Sequence, residues 1–366
     1  MKTISETIGG AQALLDIEFD LQKCFEEQLT GTNKTFLQMI RVLEEVQEPL
    51  ERPYAGIGRK PYSYTPFMRS MWAKSFFGIS KTEELISRLK TDPNLRLLCG
   101  FERVPGKATF SRAFAYLAGT TIANKTLDSL VSNTHKGLVV YHVNRDSTAI
   151  EAREKKPAKK VKPLKMKRGR PKKGQERPEN ERRKDGQVLK RQIGESLEAS
   201  LQAMPKEYSC GCKRNSKGNA SFWYGYKLHL DVSDCGFPLS AVVSGAHVAD
   251  CQVAIILEKM TEKKVSFCYS LMDSAYDAMV IRDFIEDRGR VPIIEPNLSH
   301  RSRQPLDPAK QERYKTRTYV ERAYSFLKEN LIPNNIYVKG YQKVSFVLMS
   351  AVLCLAALRT LQYFIL

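Results

Sequence analysis

Two alternating apolar runs each stop at an aspartate, and they constrain the fold more than any other feature of the chain. GLVVYHVNRDST, at 137–148, is rich in β-branched residues and alternates up to Asp146. KVSFCYSLMD, at 264–273, has apolar residues at 265, 267, 269 and 271 and ends at Asp273. Between them, SFWYGYKLHLDV (221–232) and GFPLSAVVS (236–244) read as two more strands, with Asp234-Cys235-Gly236 as the hairpin turn. Two amphipathic helices are interleaved with the later strands: DCQVAIILEKMTE, capped by Asp250, and SAYDAMVIRDFIEDRG, capped by Ser274 and stopped by Gly289. RVPIIEPN is a last short strand. Three strands, then strand and helix in alternation, specify an α/β fold with a mixed sheet flanked by helices.

Carboxylates at the C-terminal ends of strands collect at the sheet edge where α/β folds bind ligands. A third acid, Glu321, lies in YKTRTYVERAYSFLK (314–328), which reads as a helix. Tyr314, Arg317, Glu321 and Lys328 stand at offsets 0, +3, +7 and +14. On a uniform α-helix these fall within roughly one third of the circumference. Val320, Tyr324 and Leu327 supply an apolar flank. Taken alone, the segment reads either as an amphipathic helix with an i, i+4 ion pair, Arg317–Glu321, or as a helix presenting a buried acid to a site. Three carboxylates brought together repel one another unless cations neutralise them. Two Mg²⁺ ions, or Mn²⁺ in their place, about 4 Å apart would do so and would activate a water or a 3′-hydroxyl towards a phosphodiester.

The chain carries a formal charge of +19, and residues 153–191 hold 18 Lys or Arg against 5 Asp or Glu. So large a basic excess points to a polyanion, nucleic acid before an acidic membrane. The eight cysteines lack a disulfide-like spacing and no secretory signal opens the chain, which points to a reducing cytoplasm. Cys210 and Cys212 are half a zinc site at most and read as free thiols. The apolar run 344–366, interrupted by Arg359 and Gln362, reads as a buried last helix and not as a membrane span. Residues 1–60 read as a helical segment. Residues 61–130 read as short helices around the turn Val104-Pro105-Gly106, with Arg103, Lys107 and Arg112 close by, as in a helical DNA-binding domain.

DSTAIEAREK (146–155), GYKLHLDVSDCGFPLSAVV (225–243), SLMDSAYD (270–277) and TYVERAYSFLKE (318–329) resemble the DDE class of bacterial insertion-sequence transposases. The spacing of Tyr314, Arg317, Glu321 and Lys328 matches the Tyr-Arg-Glu-Lys signature of that family, and the resemblance covers roughly 62–360. It implies a ribonuclease H-like catalytic domain over 137–366, with Asp146, Asp273 and Glu321 as catalytic acids holding two Mg²⁺ ions. It also implies that Tyr314, Arg317 and Lys328 contact DNA phosphates or support the acid. Double-stranded DNA is then the partner, both as terminal inverted repeats and as target. Synapsis of two ends implies a homodimer, and the setting is cytoplasmic, at the nucleoid, with no membrane. A non-catalytic DNA-binding descendant and a structure-specific nuclease are the rival readings. Members of the family read close to Val-His-Asp where this chain has His247-Val248-Ala249-Asp250, and helix capping is the reading for Asp250.

Residues 151–215 lose all periodicity and read as a basic, largely disordered insertion in the catalytic domain. Arg168-Gly169-Arg170-Pro171, with Lys172 and Lys173 beside it, matches the core of an AT-hook, which lays Arg-Gly-Arg in a narrow minor groove. A solvated basic linker that binds phosphates without preference fits equally well.

Overall fold

The strand-forming runs build one sheet. The computed structural model describes residues 29–50, 56, 61–155, 181–214, 219–297 and 305–364. The strands are β1 (Val139–Glu151), β2 (Ser209–Arg214), β3 (Ala220–Val232), β4 (Pro238–Gly245), β5 (Ser266–Met272) and β6 (Val291–Ile294). They lie in the order β2-β3-β1-β5-β6, and β4 also pairs with β3. β1 is antiparallel to β3, with Asp146 opposite Leu230, and parallel to β5, a pairing that ends at Asn144 and Leu271. β5 and β6 are parallel. The β3–β4 hairpin turns where the sequence placed it. Gly236 there has φ of 75°, a left-handed conformation that glycine adopts without Cβ strain. The mixed sheet of antiparallel strands followed by parallel ones, flanked by helices, is the ribonuclease H-like architecture expected.

The described helices before the sheet are α1 (Gly31–Val46), α2 (Thr65–Phe76), α3 (Thr82–Thr91), α4 (Pro93–Leu98), α5 (Lys107–Gly119) and α6 (Ile122–Thr134). Within and after it come α7 (Glu181–Gly194), α8 (Leu197–Ala203), α9 (Cys251–Glu262), α10 (Met279–Glu286), α11 (Pro308–Tyr314), α12 (Thr318–Phe326) and α13 (Tyr341–Tyr363). Helix α13 is long and apolar enough to cross a membrane, but 78% of its most apolar window is buried within the protein. It packs on α1, α2, α5, α6 and β4, so the helices from the start of the chain and the sheet share one apolar core through it. That is the buried last helix read from the sequence.

Residues 181–214, expected to lack regular structure, hold α7, α8 and β2. Few apolar residues hold them, which is why no periodicity shows. Leu189 is buried against Ala254, Ile255 and Phe284. Lys259 of α9 donates to the carbonyls of Gln192 and Glu195, both at 2.6 Å, and so satisfies the orphan acceptors at the end of α7. Arg168, Arg170, Lys172 and Lys173 lie outside the described residues. The seven described cysteines are free thiols, Cys210 and Cys212 exposed among them.

Beneath α9 the sheet carries a buried ionic cluster. Arg145 meets Asp231 through Nε (2.7 Å) and Nη2 (2.8 Å) and Glu258 through Nη2 (3.0 Å). All three side chains are essentially fully buried. Because strand residues alternate between faces, Arg145 pointing at α9 turns Asp146 to the opposite face, towards α12.

Candidate active site

Asp146 does not end its strand, as the sequence suggested. β1 runs on to Glu151 while its parallel neighbour β5 stops at Met272, so Asp146 lies where β5 no longer covers β1. Asp273 comes directly after β5 and reaches the same edge. Its carboxylate accepts from the Ala275 N–H at 3.0 Å and caps the 3₁₀ turn Ser274–Tyr276; Asp273, not Ser274, is therefore the cap here. The Asp146 carboxylate accepts from the Ser147 N–H at 2.8 Å.

Arg317 joins the two acids. Its Nη2 is 3.1 Å from Asp146 Oδ2 and 3.8 Å from Asp273 Oδ2. Its Nη1 donates to the Tyr314 hydroxyl at 3.1 Å, and that hydroxyl donates to Glu295 at 3.2 Å. Burial pushes the Asp146 carboxyl up to about 6, against the pull of Arg317 and with help from Asp273. Asp273 is raised as well, again by burial first, with Arg317 opposing. Tyr324 anchors α12 over the site, its hydroxyl 2.8 Å from the carbonyl of Asp146 and 3.0 Å from that of Leu228.

Three further groups bear on the pair, Asp250, Tyr276 and Glu295, and the sequence assigned none of them to it. Asp250 does not cap α9 with its side chain. It accepts from Lys227 Nζ at 2.9 Å and from the Ser147 hydroxyl at 2.8 Å. Burial opposes ionisation of Asp250, yet Lys227, His229 and those hydrogen bonds outweigh it and hold the carboxyl below its usual range. Tyr276 is fully buried, coupled electrostatically to Asp250, Asp146 and Asp273, and its hydroxyl has no partner among the described residues. Glu295 follows β6 and bears on Asp273. Its signal was present, since RVPIIE ends on an acid as the other two runs do. His247 is turned away, its Nδ1 2.8 Å from Ser209 Oγ on β2.

The helix carrying the third acid is not uniform. α11 passes through a 3₁₀ turn, Lys315–Arg317, into α12 and then a π turn, Leu327–Leu331. A 3₁₀ turn advances about 120° per residue, so Tyr314 and Glu321, on either side of it, do not keep the phase they would have on a uniform α-helix. Val320, Ala323, Tyr324 and Leu327 form the buried stripe, while Glu321 is exposed on its flank. Among the described residues Arg317 makes its ion pairs with Asp146 and Asp273, not with Glu321. No group of three or more Asp, Glu, His or Cys there is gathered as a metal holder. Lys328 is exposed at its surface: partial burial first, then Lys213, lowers its ammonium, and Asp146 opposes them. Lys107 and Arg112 lie exposed on α5, with Lys107 paired to Glu83. The Asp146–Asp273 pair suits a hard divalent cation: it is all-oxygen, raised in pKa by burial, and already bridged by a cation, Arg317.

Comparison with known families bears on this geometry. The transposase DDE domain model matches residues 146–357, starting on Asp146 itself. A second model, described as a transposase domain (DUF772), matches residues 23–115. No curated protein and no solved structure matches the chain. With the DDE model spanning more than half of its residues, the chain belongs to the transposase DDE domain family.

Proposed function

We propose that the protein binds the terminal inverted repeats of an insertion sequence, cleaves DNA there by metal-dependent phosphodiester hydrolysis, and joins the freed 3′-hydroxyl ends to target DNA. The observation that carries this reading is the meeting of Asp146 and Asp273 at one sheet edge under a shared cation. In it, Asp146 and Asp273 hold divalent cations, Mg²⁺ or Mn²⁺, and Glu321, one helical turn beyond Arg317, is the third acid. The chemistry such ions supply when bound is activation of the attacking oxygen and stabilisation of the leaving one. Arg317, steadied by Tyr314, and Lys328 offer positive charge to the phosphates flanking the scissile bond. Two ends handled together call for at least a homodimer. The exposed Glu321 favours one second reading, a DNA-binding descendant that no longer cuts.

The test is metal-dependent cleavage of a duplex carrying the element's own terminal repeat, with Asp146→Ala, Asp273→Ala and Glu321→Ala alongside and DNA binding measured for each. Cleavage at the repeat end under Mg²⁺ or Mn²⁺, lost in all three variants while binding persists, supports the reading. Binding by the unaltered protein with no cleavage or joining under either metal refutes it in favour of the second.

A further inference from the structure

A second charged recess lies away from the acids, between the N-terminal helices and the segment that leads into α13. It has a volume of about 480 Å³ and is lined by Lys74, Lys81, Lys107, Lys339 and Lys343, with Glu83 as the acid among its lining residues. Glu83 is tied to Lys107. Lys74, on α2, is only 6% exposed, and its ammonium has no hydrogen bond or ion pair among the described residues. Glu84 acts on it only through space, and burial lowers Lys74 to about 8. A buried, unpartnered ammonium destabilises the fold that holds it. Lys107 is paired with Glu83 and Lys81 with Glu84, which leaves the positive charge of Lys74, Lys339 and Lys343 in excess, so a ligand that completes Lys74 is an anion. Helix α5 begins at the same recess, with Gly106 at the cap position and no side chain there to take its first N–H groups. The positive end of that helix therefore adds to the field.

The recess is also joined to the acid pair by a stiff connection. Ala152, just past β1, forms a bridge with Ile336, and the next residue, Tyr337, lines the recess. Asp146 and Ala152 are six residues apart on one extended run, which places them roughly 20 Å apart. At 3.4 Å per nucleotide that is about six base pairs of duplex.

We propose that this recess holds a backbone phosphate of duplex DNA that flanks the bond engaged by Asp146 and Asp273. The proposal rests on the reading above that DNA is the substrate. It makes Lys74 a binding residue that costs the free protein stability.

The experiment uses the full chain without metal and a random-sequence 30-base-pair duplex, with affinity read by fluorescence anisotropy between 50 and 200 mM salt. Lys74→Met should keep or raise the melting temperature, weaken duplex binding roughly 5–10-fold near 100 mM salt, and flatten the log–log salt slope by about 0.9, the loss of one phosphate contact. Lys343→Gln, on the rim, should flatten the slope in the same way without a change in the core. Wild-type affinity and slope in both variants would overturn the proposal and leave the transposase reading intact. Failure of the unaltered protein to bind the duplex would instead sink that reading, and this proposal with it. If Lys74→Met loses only the stabilisation given by inorganic phosphate, the recess is a free-phosphate site and the proposal is overturned.

Discussion

Replacing Arg145 by Met tests how the sheet holds Asp146 in place. Arg145 is the counter-ion of two buried carboxylates, Asp231 and Glu258, at 2.7–3.0 Å. Removing one partner of a buried pair typically costs about 3–5 kcal/mol, because the remaining charge has neither water nor a counter-ion. Here both acids keep some support. Asp231 still accepts from Thr261 at 2.7 Å, and Glu258 still faces Arg290 at 3.2 Å and the Ser270 hydroxyl. The lower end, about 3 kcal/mol, is therefore expected. In a chain of 366 residues that is a fall in melting temperature of about 4 °C. The triple replacement Arg145→Met, Asp231→Leu, Glu258→Met removes every uncompensated charge and should recover most of the loss, because a packed apolar trio often matches a buried ionic one. The readout is a urea titration for each variant, followed at two probes. A single-variant loss below about 1 kcal/mol, or a triple variant no more stable than the single, would refute the reasoning. The site is coupled to this cluster, since Arg145 and Asp146 are successive residues on one strand and a shift in one tilts the other.

Two further substitutions separate stability from chemistry. Asp146 has a folded-state value of about 6 against an ordinary 3.8, so its proton stabilises the fold fully below pH 3.8 and that contribution is lost as pH rises through 6. Asp146→Asn should therefore be more stable than wild type at pH 7.5, by roughly 3 kcal/mol at most, with the gap closing by pH 4; melting curves across that range check it. Tyr324→Phe removes the hydroxyl that ties α12 to the carbonyls of Asp146 and Leu228, at an expected cost of about 1–2 kcal/mol. Unchanged melting with unchanged cleavage would show that the contact holds nothing.

The strands, the hairpin and the buried last helix were legible because each rests on a local signal: alternation, a turn with a glycine, a long apolar run. Asp146 and Asp273 were legible as a pair for the same reason. What escaped depends on contacts distant in sequence. The extent of β1 beyond Asp146 follows from β3, which pairs with it as far as Glu151, and not from β5. Asp250 carries a strong capping signal, but Lys227, which it meets, lies on β3, 23 residues earlier. The order of α7 comes from one leucine and one lysine of α9, too few to leave a period. The exposure of Glu321 was not legible because a single 3₁₀ turn changes the helical phase, and no residue in Lys315–Arg317 announces it.

The seat of α13 among α1, α2, α5 and α6 has a consequence for synthesis. The helix that fills the core of the first elements is made roughly 300 residues after α1. At translation rates of about 5–20 residues per second, the early helices wait on the order of 15–60 seconds with their apolar faces uncovered. A nascent chain thus lacks its finished core until residues 341–363 have been made, and a copy cut short before Tyr341 leaves the early helices without the partner that closes them.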